Sequence, residues 1–114
     1  MHNEPISKPW FEKMRGKEAF ITRLFTVFLR EEPQRVAKIR AAMERNDLDE
    51  VKYLAHSLKG AAATLGAEPL RQACLELEMA AKSNNEAQSS LALQHLDEQI
   101  GRVYERMQDW LKLQ

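Results

Sequence analysis

The segment Ala55-His56-Ser57-Leu58-Lys59-Gly60-Ala61-Ala62-Ala63-Thr64-Leu65-Gly66 holds the residue types best suited to chemistry in this chain. Take Val51, Leu54, Ala55, Leu58, Ala62 and Leu65 as the apolar face of a helix. Lys52, His56, Lys59, Gly60 and Ala63 then fall on the opposite side, at spacings of three and four. A neutral imidazole presents a nucleophilic nitrogen near pH 7, because the reference pKa of histidine is about 6.5. A phosphoryl group accepted there would add negative charge, and Lys59, one turn on, is placed to offset it. Glycine inside a helix costs about 1 kcal/mol relative to alanine, and close approach by another molecule is one physical reason to keep Gly60. With Ala63 it leaves the ground beside the ring low and open to a bulky phosphodonor.

Gly66 turns the chain back, and His56 precedes it by ten residues. Antiparallel partners of His56 therefore lie near 75 to 79, where Leu75, Glu78 and Met79 stand. Glu78 would accept a hydrogen bond from the imidazole or from Lys59 and so orient either group. Too strong an interaction would repel the incoming phosphoryl group, so an orienting or surface role is expected rather than that of a buried base. A modest apolar patch around the histidine would serve docking, with Ala63, Leu75 and Met79 as contributors and Ser57 and Gln72 at its margins.

The elements that must position these residues are helical. Residues 1 to 6 read as an unstructured lead, and 7 to 114 as one domain. Ser7 caps a short helix to about Met14, with Pro9 in its first turn, and Gly16 interrupts it. A helix over about 17 to 31 carries Phe20, Leu24, Val27 and Phe28 as one apolar stripe, widened by Phe25 and Leu29. Pro33 marks a break, and a further helix runs to about 45 with Val36, Ile39, Ala42 and Met43 inward. Asp47 and Glu50 resemble a capping box for the helix over 48 to 65. Gly66 suits the left-handed position after it. Pro69 starts a helix over about 68 to 82, with Leu70, Ala73, Cys74, Leu77 and Ala81 inward. Ser83 to Ser90 is a polar connection, in which Asn85 or Ser90 caps the last helix. Leu93, Leu96, Ile100, Val103, Met107 and Trp110 form its stripe, most simply core, although its length permits a coiled-coil dimer. Short connections make neighbours antiparallel. The expected fold is all-α, an antiparallel four-helix bundle with one or two short N-terminal helices.

Composition bounds the alternatives. A length of 114 residues allows one domain, and a 44% hydrophobic content is too high for a disordered chain. Seventeen basic and seventeen acidic residues cancel, so no cationic excess exists to neutralise phosphates and no nucleic-acid partner is expected. Cys74 is the single cysteine, which precludes an intrachain disulfide and suits a reducing compartment. No apolar run approaches the roughly 20 residues of a membrane span. Glu4, Pro5 and Pro9 stand where a signal peptide would be apolar. A soluble chain without direct membrane contact is expected, either free-standing or excised from a larger membrane protein. His2 and His95 read as structural or surface residues, Cys74 as core, and Trp10-Phe11 as a pair packed against the bundle.

His56-Ser57-Leu58-Lys59-Gly60 followed by Ala61-Ala62-Ala63-Thr64-Leu65-Gly66-Ala67 resembles the signature of histidine-containing phosphotransfer (HPt) domains. Leu70, Cys74, Leu77 and Glu78 downstream, and Phe25 to Phe28, Val36-Ile39-Met43 and Asn46-Asp47 upstream, extend the resemblance over about residues 10 to 110. It implies that His56 is the phosphoacceptor through Nε2, that Lys59 is its basic neighbour, that Gly60 clears space, and that Glu78 is the polar residue near the ring. It further implies a relay between receiver-domain aspartates, of response regulators or hybrid sensor kinases, in multistep two-component signalling. The Mg²⁺ and its acidic ligands would belong to the receiver, with no cofactor or metal bound by this domain. A cytoplasmic place and a monomeric isolated domain follow, without autonomous ATP-dependent kinase activity, as the absence of a glycine-rich nucleotide loop agrees. The alternative is a helical adaptor or dimerisation module, including one that docks a receiver without accepting phosphate.

Overall fold

The computed structural model describes residues 4–114. His2 and the first half of the expected lead lie outside them. The described residues form five helices: α1 (Lys8–Lys13), α2 (Glu18–Glu44), α3 (Leu48–Thr64), α4 (Glu68–Lys82) and α5 (Glu86–Lys112). No strand occurs among the described residues. The last four helices form the bundle, each packed on the next and α5 closing back on α2. The expected fold class therefore holds, with one short N-terminal helix.

Each joint has a local cause. Ser7 accepts the backbone N–H of Trp10 at 3.3 Å and caps α1. The Asp47 carboxylate does the same for Glu50 N–H at 3.2 Å, and the Asn85 side chain for Gln88 N–H at 3.0 Å. Asn46 and Asn84 take left-handed backbone conformations just past the ends of α2 and α4, a geometry in which asparagine is among the few tolerated side chains. Because Asn85 is the cap, the last connection shrinks to three residues and α5 begins earlier than Ser90. Ser89, read as part of a polar loop, is instead fully buried and donates its hydroxyl to Asn85 O at 2.7 Å.

Three expectations need correction. The break at Pro33 does not occur, and α2 runs unbroken for 27 residues. Proline removes only the hydrogen bond that residue 33 would give to Leu29, and Pro33 lies on the solvent side, where water can reach the freed carbonyl. Phe25, Phe28, Val36 and Ile39, from both halves of the helix, are buried in one core, which holds the two halves in line. The apolar stripe of α2 is also displaced. Ile21, Phe25 and Phe28 are core, whereas Phe20 is 48% exposed and Leu24 and Val27 are half-buried. Finally, the unstructured lead does not extend to Ile6, which is buried, and Ser7 N–H donates to Gly66 O at 3.0 Å.

That last contact ties the N-terminal segment to the end of α3. Trp10 donates its indole N–H to Thr64 O at 2.9 Å, covering a carbonyl that the helix terminus leaves free. Trp10 also stacks on Phe25, which meets Trp110 edge-on at 5.4 Å. Gly66 has φ +63°, and a Cβ there would stand 2.8 Å from Trp10 Cβ and 3.0 Å from Ser7 Oγ. Left-handed strain and this contact add, so Gly66→Ala is expected to lose about 2–4 kcal/mol of stability, read from the midpoint of urea unfolding.

Candidate functional site

α3 turns one row of side chains out of the bundle because Val51, Ala55, Leu58 and Ala62 anchor the opposite row in the core. The His56 side chain is 66% exposed, and Gly60 and Ala63 are exposed beside it. α4 returns antiparallel after Gly66 and brings Glu78 level with the histidine. One Glu78 oxygen lies 2.8 Å from His56 Nδ1, and the other accepts from Lys59 Nζ at 2.7 Å. A single carboxylate thus holds both residues that sequence spacing singled out.

The charge state of Glu78 sets the tautomer of the ring. Partial burial pushes its carboxyl pKa up, but the hydrogen bonds from Lys59 and His56 and the charge on Lys59 outweigh burial and hold it below the usual value. It is therefore a carboxylate at neutral pH and can only accept. The proton between it and His56 belongs to Nδ1, which leaves the lone pair on Nε2. That nitrogen lies on the far side of the ring from Glu78 and has no hydrogen-bond partner among the described residues. His95 differs. Its Nδ1 faces Glu76 at 2.9 Å and its Nε2 faces Gln99 at 3.4 Å, so both nitrogens are engaged, as suits a structural residue.

Packing among the described residues does not require a glycine at position 60. A Cβ built there meets nothing within 4 Å. Gly60→Ala is accordingly expected to stabilise the fold by about 0.5–1 kcal/mol, a gain measurable by urea unfolding. Cys74 is core, as expected, and its thiol is pushed up to about 12, chiefly by burial, with the nearby Glu32 carboxylate adding to it. We expect no reaction of Cys74 with a disulfide reagent in the native protein at pH 8, and full reaction after unfolding.

The docking candidates fall on two flanks. Gln72, Leu75 and Met79 lie on α4, where Met79 is 53% exposed, Leu75 is half-buried and Gln72 donates to Glu68 at 3.2 Å. Ser57 lies on the other flank. It lines an open groove of about 420 Å³ between α2 and α3, together with Arg30, Arg35, Lys38 and Tyr53. Sequence reading missed that groove. Arg30, Gln34 and Lys38 share a face only when α2 continues through Pro33, and a break there hides their spacing of four. Among the described residues, no group of three or more metal-ligating side chains converges, and no helix is long and apolar enough to cross a membrane.

Comparison with known proteins adds three findings. The family model of the Hpt domain matches residues 23–110. No curated protein sequence matches the chain. Among solved structures, histidine-containing phosphotransfer protein B (HptB) from Pseudomonas aeruginosa PAO1 superposes with a TM-score of 0.89 at 19% identity, over 96% of each chain. The histidine-containing phosphotransfer protein ZmHP2 from maize does so with a TM-score of 0.85 at 20% identity, over 96% of this chain and 85% of that one. At such identities the likeness is one of fold.

Proposed function

Because the chain belongs to the Hpt domain family and its work is histidine phosphotransfer in a phosphorelay, we propose that His56 is its phosphoacceptor. The observation that carries this reading is an exposed imidazole whose Nδ1 proton is anchored to an ionised carboxylate, so that Nε2 is free to attack. Hpt domains work with receiver domains, and a receiver aspartyl phosphate is the donor in this reading.

The step is an in-line displacement. Nε2 of His56 forms the bond to phosphorus as the bond from phosphorus to the aspartyl oxygen breaks, and the receiver carboxylate leaves with that electron pair. Positive charge develops on the ring as Nε2 gives up its lone pair. Glu78, 2.8 Å from Nδ1, offsets it and keeps the proton in place. Lys59 has one N–H committed to Glu78 and two more for the phosphoryl oxygens. A Mg²⁺ held by the receiver's own acidic residues would neutralise charge on the transferred group. Transfer to a second receiver is the same step reversed. We place the domain in the cytoplasm, as a monomer that binds no cofactor of its own.

Incubation with a phosphorylated receiver tests the reading. It predicts a base-stable, acid-labile phosphoryl group on this chain. Binding without transfer, from receivers competent toward other phosphotransfer domains, would favour the helical adaptor instead.

A further inference from the structure

One concave site on the bundle has no part in the phosphotransfer step. It is the groove of about 420 Å³ between α2 and α3, and none of His56, Lys59 and Glu78 lines it. A volume of that order is typical of small-ligand clefts, which run from about 300 to 1,000 Å³. α2 contributes Arg30, Arg35 and Lys38 to its wall, against a single carboxylate, Glu31. That is a local surplus of positive charge in a chain whose formal net charge is zero. α3 contributes the ring of Tyr53.

The three cations are weakly answered within the fold. Lys38 is exposed and in no ion pair among the described residues. Arg30 meets Glu31 at 3.3 Å, but both side chains are more than half exposed, and such a pair is worth little. Arg35 lies 3.3 Å from Glu32 through its Nε, outside hydrogen-bond geometry for that carboxylate oxygen. Burial pushes the Glu32 carboxyl above its usual pKa, with the charge of Arg35 pulling the other way. The partner of Arg35 is therefore a poor one, and its two terminal nitrogens have no hydrogen-bond partner among the described residues. Tyr53 is 66% exposed and meets no other ring among the described residues. An exposed aromatic face beside unspent cations is what a base and its phosphates need.

We propose that this groove binds a nucleotide carrying two or more phosphates, with the phosphates on Arg30, Arg35 and Lys38 and the base stacked on Tyr53. Arg30 and Lys38 stand eight residues apart on α2, about 12 Å along the helix axis, a span that suits a chain of phosphates better than a single one. The guanidinium groups match phosphate oxygens in a fork, and the ammonium of Lys38 adds a point charge. Stacking on Tyr53 separates a nucleotide from a plain polyanion, since only the former has an aromatic face. The site goes beyond the phosphotransfer reading and does not depend on it.

Calorimetric titration of the full chain at low salt, with ADP and with inorganic pyrophosphate as probes, tests the assignment. Saturable binding of one ADP per chain is expected. Lys38→Glu is expected to weaken both probes about ten-fold, the loss of one charge-assisted contact. Tyr53→Ser is expected to weaken ADP about ten-fold and pyrophosphate less than about two-fold, because only the base stacks. Arg15, exposed on the connection between α1 and α2, is the control. Arg15→Glu changes the net charge as much as Lys38→Glu and is expected to leave both affinities within about two-fold. The substituted positions are exposed, and circular dichroism checks that each variant folds. Absence of saturable ADP binding at millimolar concentration would overturn the proposal. So would an equal loss at Arg15→Glu, which would mark diffuse attraction to the whole surface. ADP binding that Tyr53→Ser leaves unchanged would overturn the nucleotide assignment, because the site would then hold phosphates alone.

Discussion

Glutamine in place of His56 is expected to abolish phosphoryl uptake, by about 10³-fold or more to the limit of detection, while leaving the fold intact. Glutamine keeps a polar side chain of comparable reach but has no nitrogen lone pair for attack, since the amide nitrogen is conjugated with its carbonyl. The stability change is expected within about 1 kcal/mol, because the imidazole is largely exposed and its one charged contact is Glu78. Circular dichroism and urea unfolding check the fold, and phosphate retention after alkaline wash checks the chemistry. His95, with both ring nitrogens engaged, is the internal control. Loss at His95→Gln with retention at His56→Gln would assign the chemistry to the wrong face of this account.

Glu78→Gln is expected to slow uptake from a phosphorylated receiver about 10- to 100-fold. The amide can still accept from Nδ1, so the ring stays roughly placed. It no longer carries the charge that favours the Nδ1 proton and offsets the imidazolium, and it releases Lys59. The same substitution has a stability signature whose sign is fixed. Hydrogen bonds to Lys59 and His56, acting against partial burial, leave the Glu78 pKa lower in the folded chain than its ordinary value of 4.5. The resulting stabilisation is fully present above that ordinary value and is lost as pH falls through the lower, folded value. At pH 7 the wild type should exceed Glu78→Gln by about 1–2 kcal/mol. The gap should narrow once pH drops below 4.5. A constant gap from pH 7 to pH 3 (roughly the span in which a carboxylate titrates) would show that Glu78 contributes through packing and not through its charge.

The parts legible in the sequence are those with short-range causes. Ser7, Asp47 and Asn85 cap helices because their side-chain oxygens reach N–H groups three residues on. Gly66 was identifiable as a left-handed turn, and counting outward from it brought Glu78 to His56. The parts that were hidden depend on contacts distant in sequence. Pro33 is a local signal to stop, and it is overruled by a core that buries Phe28 before it and Val36 and Ile39 after it. The hydrogen bond from Trp10 to Thr64 spans 54 positions. Ser89 looked like loop because serine is polar, yet its hydroxyl is satisfied within its own helix. The site's second flank followed from the same error at Pro33, since only an unbroken α2 places Arg30 and Lys38 along one wall.

Gly60 and the α2 flank carry a common lesson about reading such a surface. Each departs from what the fold alone requires. Gly60 sits in a helix interior where alanine would meet nothing, and Phe20, Leu24 and Val27 spend apolar side chains outside the closed core. Gly60 lies one turn from His56 on the exposed row of α3. Stability and docking therefore make separable demands on this bundle, and Gly60→Ala should gain the first while crowding the second.

The central claim is that Glu78 holds the proton on Nδ1 of His56 so that Nε2 takes the phosphoryl group. Nuclear magnetic resonance of the chain labelled with ¹⁵N-histidine, before and after phosphorylation, reads both halves of it from the ring nitrogens. The expected result is an Nδ1–H tautomer in the neutral ring and a phosphorus–nitrogen coupling at Nε2 of His56 after transfer. Phosphorus on Nδ1, or on no nitrogen of His56, would contradict it.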